Sequence, residues 1–237
     1  MKYCLQPADA SPIEEENGVE VRTLFGSERG CNEFEQRVLR FDGASLLRTS
    51  AGADEVLYVL AGTGTAVLDG ERTELSAGSA AYIARGASWQ VEEAQELDVL
   101  SVLVHGPGSA NGTHHAVLAA EETERGSATA GRQFSLLATP DVGCAAVTQF
   151  VGYIPVVRAP DHFHTYDEVV YVLQGQGALH VGGDSVPLQP GSSVYLPARL
   201  VHCLENTGPG EMRVLGVFRP AGSPAEAYYP DGTQAQY

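Results

Sequence analysis

Four residues in the second half of this chain carry side chains that bind metal ions, at spacings that can bring them together: His162, His164, Glu168 and His202. His162 and His164 are two apart, so on an extended segment both rings face the same way. Glu168 follows after Thr165-Tyr-Asp167, a stretch short enough to turn into the next strand. His202 comes 34 residues later, beyond Pro197. Three imidazoles and a carboxylate suit a divalent transition metal. Six-coordinate iron or manganese held this way keeps two positions open for substrate, water or dioxygen. An H-x-H pair alone is a weak signal, because a histidine on a strand is usually a polar residue satisfied locally.

Such a cluster needs a scaffold that returns distant segments to one place, and the punctuation of the chain indicates which kind. Glycine accounts for 27 of 237 residues, and the apolar runs between glycines are short. Glu55-Val-Leu-Tyr-Val-Leu-Ala-Gly62 is one, and Thr65-Ala-Val-Leu68 follows it. Runs of about 4–8 residues bounded by Gly, Asp and Pro predict an all-β sandwich or barrel. The one helix candidate, over 115–125, is short.

The chain also repeats. At an offset of 113, Glu55, Val56, Tyr58, Val59, Leu60, Gly62, Gly64 and Gly70 fall on Glu168, Val169, Tyr171, Val172, Leu173, Gly175, Gly177 and Gly183. With no gap, Leu75, Gly78, Ser79 and Tyr82 then fall on Leu188, Gly191, Ser192 and Tyr195, and upstream Cys31 and Gln36 fall on Cys144 and Gln149. A constant offset over so many positions means two copies of one β unit. The expected division is 1–110 for the first copy, 111–127 for a linker and 128–237 for the second. Gly106-Pro-Gly-Ser-Ala-Asn-Gly112 and the polar stretch after it have linker composition. The tail from Ala221 onward, ending in Tyr228-Tyr229-Pro230, is expected to cover a barrel edge.

Charge narrows the function classes. The chain has 14 Lys and Arg against 30 Asp and Glu, a formal net charge of −16, which repels phosphate backbones and anionic lipid surfaces. No basic patch or helix-turn-helix pattern is present, so neither nucleic acid nor a membrane is an expected partner. The start of the chain lacks the apolar stretch of a secretory signal. Cys4, Cys31, Cys144 and Cys203 form no C-x-x-C pair, so reduced thiols in a cytoplasmic protein are expected.

From His162 the chain reads H-x-H-x-x-x-E-x-x-x-x-x-x-G to Gly175, which resembles the first sequence motif of the cupin superfamily. Gly191-x5-Pro197-x-Arg199-x2-His202-x3-Asn206 resembles the second, with Arg199 where the family usually has glycine. The resemblance implies an all-β chain of two tandem cupin barrels (double-stranded β-helices, or jelly rolls). It also implies His162, His164, Glu168 and His202 as ligands of one divalent metal, Fe2+ or Mn2+ first, with Ni2+, Co2+ and Zn2+ accommodated. In the first copy the matching positions are Thr49, Ala51, Glu55 and Trp89, so a degenerate, metal-free N-terminal barrel is expected, with Trp89 filling the space of an imidazole.

Around that set, Arg199 is a candidate to fix a substrate carboxylate, Arg158 has similar standing, and Tyr166 is a candidate proton donor. Tyr171 and Tyr195 match Tyr58 and Tyr82, which favours packing. His180 alternates with Leu179 and Val181 and is expected to face away, and His114-His115 to lie on the surface. Cupins similar to this chain include dioxygenases, decarboxylases, isomerases and ureide hydrolases. The ureide group places Glu first, unlike the His, His, Glu, His order here. The expectation is a metal-dependent enzyme on a small oxygen-rich organic acid or enol, most simply a non-haem dioxygenase. A redox-neutral isomerase, decarboxylase or hydrolase and a non-catalytic ligand-binding bicupin are the alternatives. The chain is expected to act as a monomer or homodimer.

Overall fold

In the computed structural model of the chain, the described residues are 2–50, 52–106, 115–117 (backbone only) and 123–235. They contain strands and short 3-10 turns and no α-helix. Every strand pair is antiparallel, as expected where glycine turns rather than helices connect neighbours. No helix of the described residues is long and apolar enough to cross a membrane. The four cysteines are free thiols.

Contacts divide the chain into two units, and two segments cross the division that the repeat alone predicts. The first unit gathers Met1–Asp9, Glu124–Leu136 and Thr148–Tyr237. The second gathers Ala10–Thr123 and Leu137–Val147. In the first unit, the seven-stranded sheet runs Cys4–Leu5, Ser193–Leu196, Asp167–Gln174, Met212–Arg219, Thr148–Ile154, Gln133–Leu136, Arg125–Ser127. A three-stranded sheet of Asp184–Leu188, Gly177–Val181 and His202–Asn206 accompanies it. Alternation puts Val170 and Val172 on one face, and both join Leu179, Leu188, Val194, Leu196 and Val214 in the core of this unit. Glu168 shares that face, which is why a carboxylate ends up inside the barrel.

In the second unit a nine-stranded sheet carries the equivalent elements. The repeat is exact in register: Glu55 pairs with Ile83 as Glu168 pairs with Leu196. Tyr82 donates its hydroxyl to Asp54 at 3.0 Å, and Tyr195 donates to Asp167 at 3.1 Å, so these repeated tyrosines brace a strand pair in both copies. Gly175 has φ +87°, and a Cβ there would lie 2.8 Å from the Met212 backbone, so only glycine fits that turn.

The helix candidate is overturned over its ends. His115–Val117 is a strand paired with Ala80–Tyr82, and Arg125–Ser127 is a strand paired with Gln133–Ser135. Pairing of three residues with a sheet edge satisfies backbone groups at each end, where an isolated short helix would be marginal. Residues 107–110 at the end of the expected first copy, and 111–114 (with His114) and 118–122 of the expected linker, lie outside the described residues, as does Ala51.

Candidate metal centre

A two-way backbone bridge sets the site. His162 donates its N–H to the His202 carbonyl at 2.9 Å, and His202 returns the bond at 2.8 Å, placing the two rings 4.7 Å apart. The ring of His164 lies 5.0 Å from that of His162 and 5.3 Å from that of His202. One ligand nitrogen from each ring falls within 4.8 Å of the other two, and all three residues are buried.

The hydrogen bonds decide which nitrogen that is. His162 Nδ1 lies 2.7 Å from the Pro160 carbonyl, His164 Nδ1 2.7 Å from the Glu226 carbonyl, and His202 Nδ1 2.9 Å from the Leu200 carbonyl. A carbonyl can only accept, so each Nδ1 carries the proton and each Nε2 keeps a lone pair. Burial and the neighbouring imidazoles push His162 down to about 3, burial pushes His202 down to about 4, and His164 lies well below its ordinary value for the same reasons. Three neutral nitrogen donors converging with no proton between them fit a divalent transition metal. The chain therefore has a buried His162, His164 and His202 triad that could hold one metal ion.

Glu168 lines the same cavity but stands outside the tight cluster of the three nitrogens. Burial raises its carboxyl to about 8, and the positive charge of Arg132 pulls against that rise. A Cβ at Gly216 would lie 2.9 Å from the Glu168 carboxylate and 2.3 Å from the Phe150 ring, so glycine there leaves room for both. The cavity, of about 60 Å³, lies between these residues and apolar walls that include Phe134, Phe150, Ile154 and Val214.

Tyr166 is brought to the site. Its ring stacks on His164 at 4.6 Å and 9°, and on Phe218 at 3.9 Å and 19°. Burial and the Glu168 charge hold its phenol well above the ordinary value, so it stays protonated. Arg199 is not brought to the site: its side chain is exposed and absent from the cavity wall. Its φ of +66° explains why glycine is usual at this position, and its backbone N–H donates to the His164 carbonyl at 2.7 Å. Arg158 is likewise exposed and pairs with Asp161 at 3.3 Å. His180 contacts Glu205 at 2.7 Å, away from the triad.

Two participants escape a reading by motif. Arg132 lines the cavity, and its charge is felt by all three histidines, by Tyr166 and by Glu168. It lies upstream of both motifs, and its repeat partner is Val19, so nothing in the pattern marks it. The other is the tail. Glu226 supplies the carbonyl for His164, and the neighbouring Tyr228 exchanges two 2.9 Å backbone bonds with Phe163 and stacks on it at 5.6 Å. Tyr228→Ala should loosen this strap and weaken metal binding about 10-fold, the lower range for lost support of a ligand histidine, read by competition with a chelator.

The buried rings also set an acid limit for the metal-free protein. An imidazole whose pKa falls on folding contributes fully above its ordinary value of 6.5, and that contribution is lost as pH falls through the folded values of about 4 and about 3. Glu168, raised on folding, contributes below its ordinary 4.5 and loses that contribution as pH rises toward about 8. The two effects oppose each other between about pH 4.5 and 6.5, so the steepest loss should come below 4.5. Denaturant melts of chelator-treated protein should show this fall, and His202→Asn should flatten it. An unchanged profile in the variant contradicts the assignment.

In the first copy the equivalent space is closed. Glu55 is buried, and its carboxylate accepts from Arg37 at 3.2 Å, Ser50 at 2.9 Å, Trp89 Nε1 at 3.1 Å and Ser101. Trp89, 1% exposed, occupies the position of His202 and spends its one donor on this carboxylate. Thr49 is exposed and bonded to Ser88.

A family model described as "Cupin domain" matches residues 43–104 and 150–218. Among solved structures, a mutant of Bacillus subtilis oxalate decarboxylase superposes with a TM-score of 0.74 at 16% identity, covering 93% of this chain and 78% of that one. Protein Ylba from E. coli gives 0.72 at 16% identity, covering 91% and 89%. At such identities the likeness speaks for the fold. The uncharacterized protein SCO3923 of Streptomyces coelicolor is 38% identical over 60 residues, 25% of this chain. The match spans 56% of that relative's length.

Proposed function

Since the chain belongs to the cupin family and carries two copies of its domain, we propose that it is a metal-dependent bicupin enzyme acting on a small oxygen-rich organic acid or enol, first as a dioxygenase. The observation that carries this reading is the buried triad with every Nδ1 pinned to a carbonyl and every Nε2 free. Purely structural histidines gain nothing from gathering three acceptor nitrogens within 4.8 Å of one another. When bound, a divalent iron or manganese ion would supply a Lewis acid and coordination positions for substrate oxygens and dioxygen.

The chain's own residues do the rest. His162, His164 and His202 would hold the ion, and Glu168, inside the same cavity, is a carboxyl that burial keeps protonated near neutral pH until a bound cation favours its charged form. Tyr166, fixed by stacking on both sides, keeps its phenolic proton and can donate it as a hydrogen bond. The largely apolar walls lower the local dielectric, which strengthens charged contacts inside.

A redox-neutral reaction on the same site is the second reading. It is favoured by the solved Bacillus subtilis oxalate decarboxylase, a protein with Mn(II) centres and the same fold. The test is a panel of small organic acids and enols with iron- or manganese-loaded protein in an oxygen electrode. Oxygen uptake matched to product supports the dioxygenase. Turnover undiminished without oxygen supports the redox-neutral enzyme. Tight binding with no turnover by metal-loaded protein overturns both and leaves a binding bicupin.

A further inference from the structure

Arg132 stands at the cavity wall, at the head of the strand Gln133–Leu136. The turn before it is tight, with Ala130 at φ 60°. Its guanidinium is held from one side: Nε donates to the Thr129 carbonyl at 3.0 Å, and Nη2 donates to the Thr129 hydroxyl. Thr129 is itself buried, so that anchor is rigid. Nη1 makes no hydrogen bond among the described residues. Arg132 also forms no ion pair with a described carboxylate, although Glu168 shares the cavity and feels its charge.

A guanidinium fixed by one half and unpaired on the other is a preorganised receptor for a carboxylate. The apolar walls strengthen it, because a charge facing a low-dielectric space is screened less than one in water. Arg199 and Arg158 are exposed and off the cavity wall, which leaves Arg132 as the cation of this cavity among the described residues.

We infer that Arg132 is a specificity-determining residue that takes the carboxylate of a small 2-oxo or 2-hydroxy acid, whose remaining oxygen faces the histidine triad. This rests on the proposed function and narrows it from acid or enol to a carboxylate anion. A neutral enol would leave the guanidinium unpaired on its cavity side, at the cost of a desolvated cation.

The experiment pairs pyruvate with its neutral amide, pyruvamide, which offers the same oxygen spacing without the charge. Cobalt(II)-loaded wild type, Arg132→Gln and Arg132→Lys are titrated with each, following the visible cobalt bands and the calorimetric heat. Wild type should bind pyruvate at least about 10-fold more tightly than pyruvamide, the range of a charge-assisted hydrogen bond. Arg132→Gln should lose about 10- to 100-fold for pyruvate and little for pyruvamide, with cobalt content unchanged, and Arg132→Lys should fall between. Equal losses for both ligands, or no loss for pyruvate, overturn the assignment. If wild type takes no cobalt, the metal reading fails separately. Arg132 is then judged by pyruvate calorimetry on metal-free wild type and Arg132→Gln, where equal heats, including none from either, overturn it.

Discussion

Protein purified with His164→Ala should carry less than about one tenth of the metal of the unaltered chain, which should hold close to one iron or manganese per molecule. The effect is large because the donor set has little redundancy. Three neutral nitrogens form the cluster, Glu168 stands outside it, and in the second unit Glu55 is already engaged by four donors. Removing one nitrogen leaves two, and affinity should fall by at least about 100-fold, since even lost support of a ligand histidine costs about 10- to 100-fold. Elemental analysis of wild type beside the variant reads this directly. The variant also frees the Glu226 carbonyl, so a thermal melt of both metal-free proteins is the control for folding. Metal retained in a folded His164→Ala protein contradicts the site. Metal bound to wild type should also stabilise it by about 2.7 kcal/mol at a hundredfold excess over Kd, so that its melting temperature rises with metal concentration. The variant should lose that response.

Glu55→Ala should destabilise the second unit by about 3 kcal/mol or more without touching the metal. The substitution removes the common acceptor of Arg37, Ser50, Trp89 and Ser101 inside the barrel. Arg37 is then left with Glu35 at 3.6 Å and Glu16 at 3.9 Å, both more exposed than Glu55, so part of a buried charge loses its compensation. Trp89 Nε1 is left buried with no acceptor, which itself costs about 1–3 kcal/mol. Glu55→Gln keeps one carbonyl acceptor and should cost clearly less. Denaturant unfolding with elemental analysis separates the two roles: stability should fall while metal stays near one per chain. A midpoint shift too small to resolve would mean that the cage contributes nothing and that packing of Trp89 alone holds this copy closed.

The comparison of the two copies shows why so much was legible beforehand. Strand alternation is a local property, so the spacing of His162 and His164 already puts two rings on one face. The offset of 113 transfers the strand pairing of one copy to the other, which is why the sequence assigns Tyr195 to packing, while its hydrogen bond to Asp167 is added by the fold. Two of the three Nδ1 acceptors are local as well, Pro160 and Leu200, each two residues before its histidine.

What the sequence determined alone was therefore the repeat, the all-β fold, the cupin framework and the identity of the copy with the histidines, because each depends on spacing within one or two strands. The tertiary structure decided the rest. The third Nδ1 acceptor lies 62 residues from His164, in a tail expected only to cover a barrel edge. Arg132 reaches the cavity from an upstream strand outside both motifs, while Arg199, adjacent to a motif position, is turned outward by a backbone at φ +66°. The segment Cys4–Leu5 completes the sheet of the distant copy by pairing with Ser193–Val194. Backbone pairing between such remote strands depends on which edge is open after folding, and no periodicity along the chain records that.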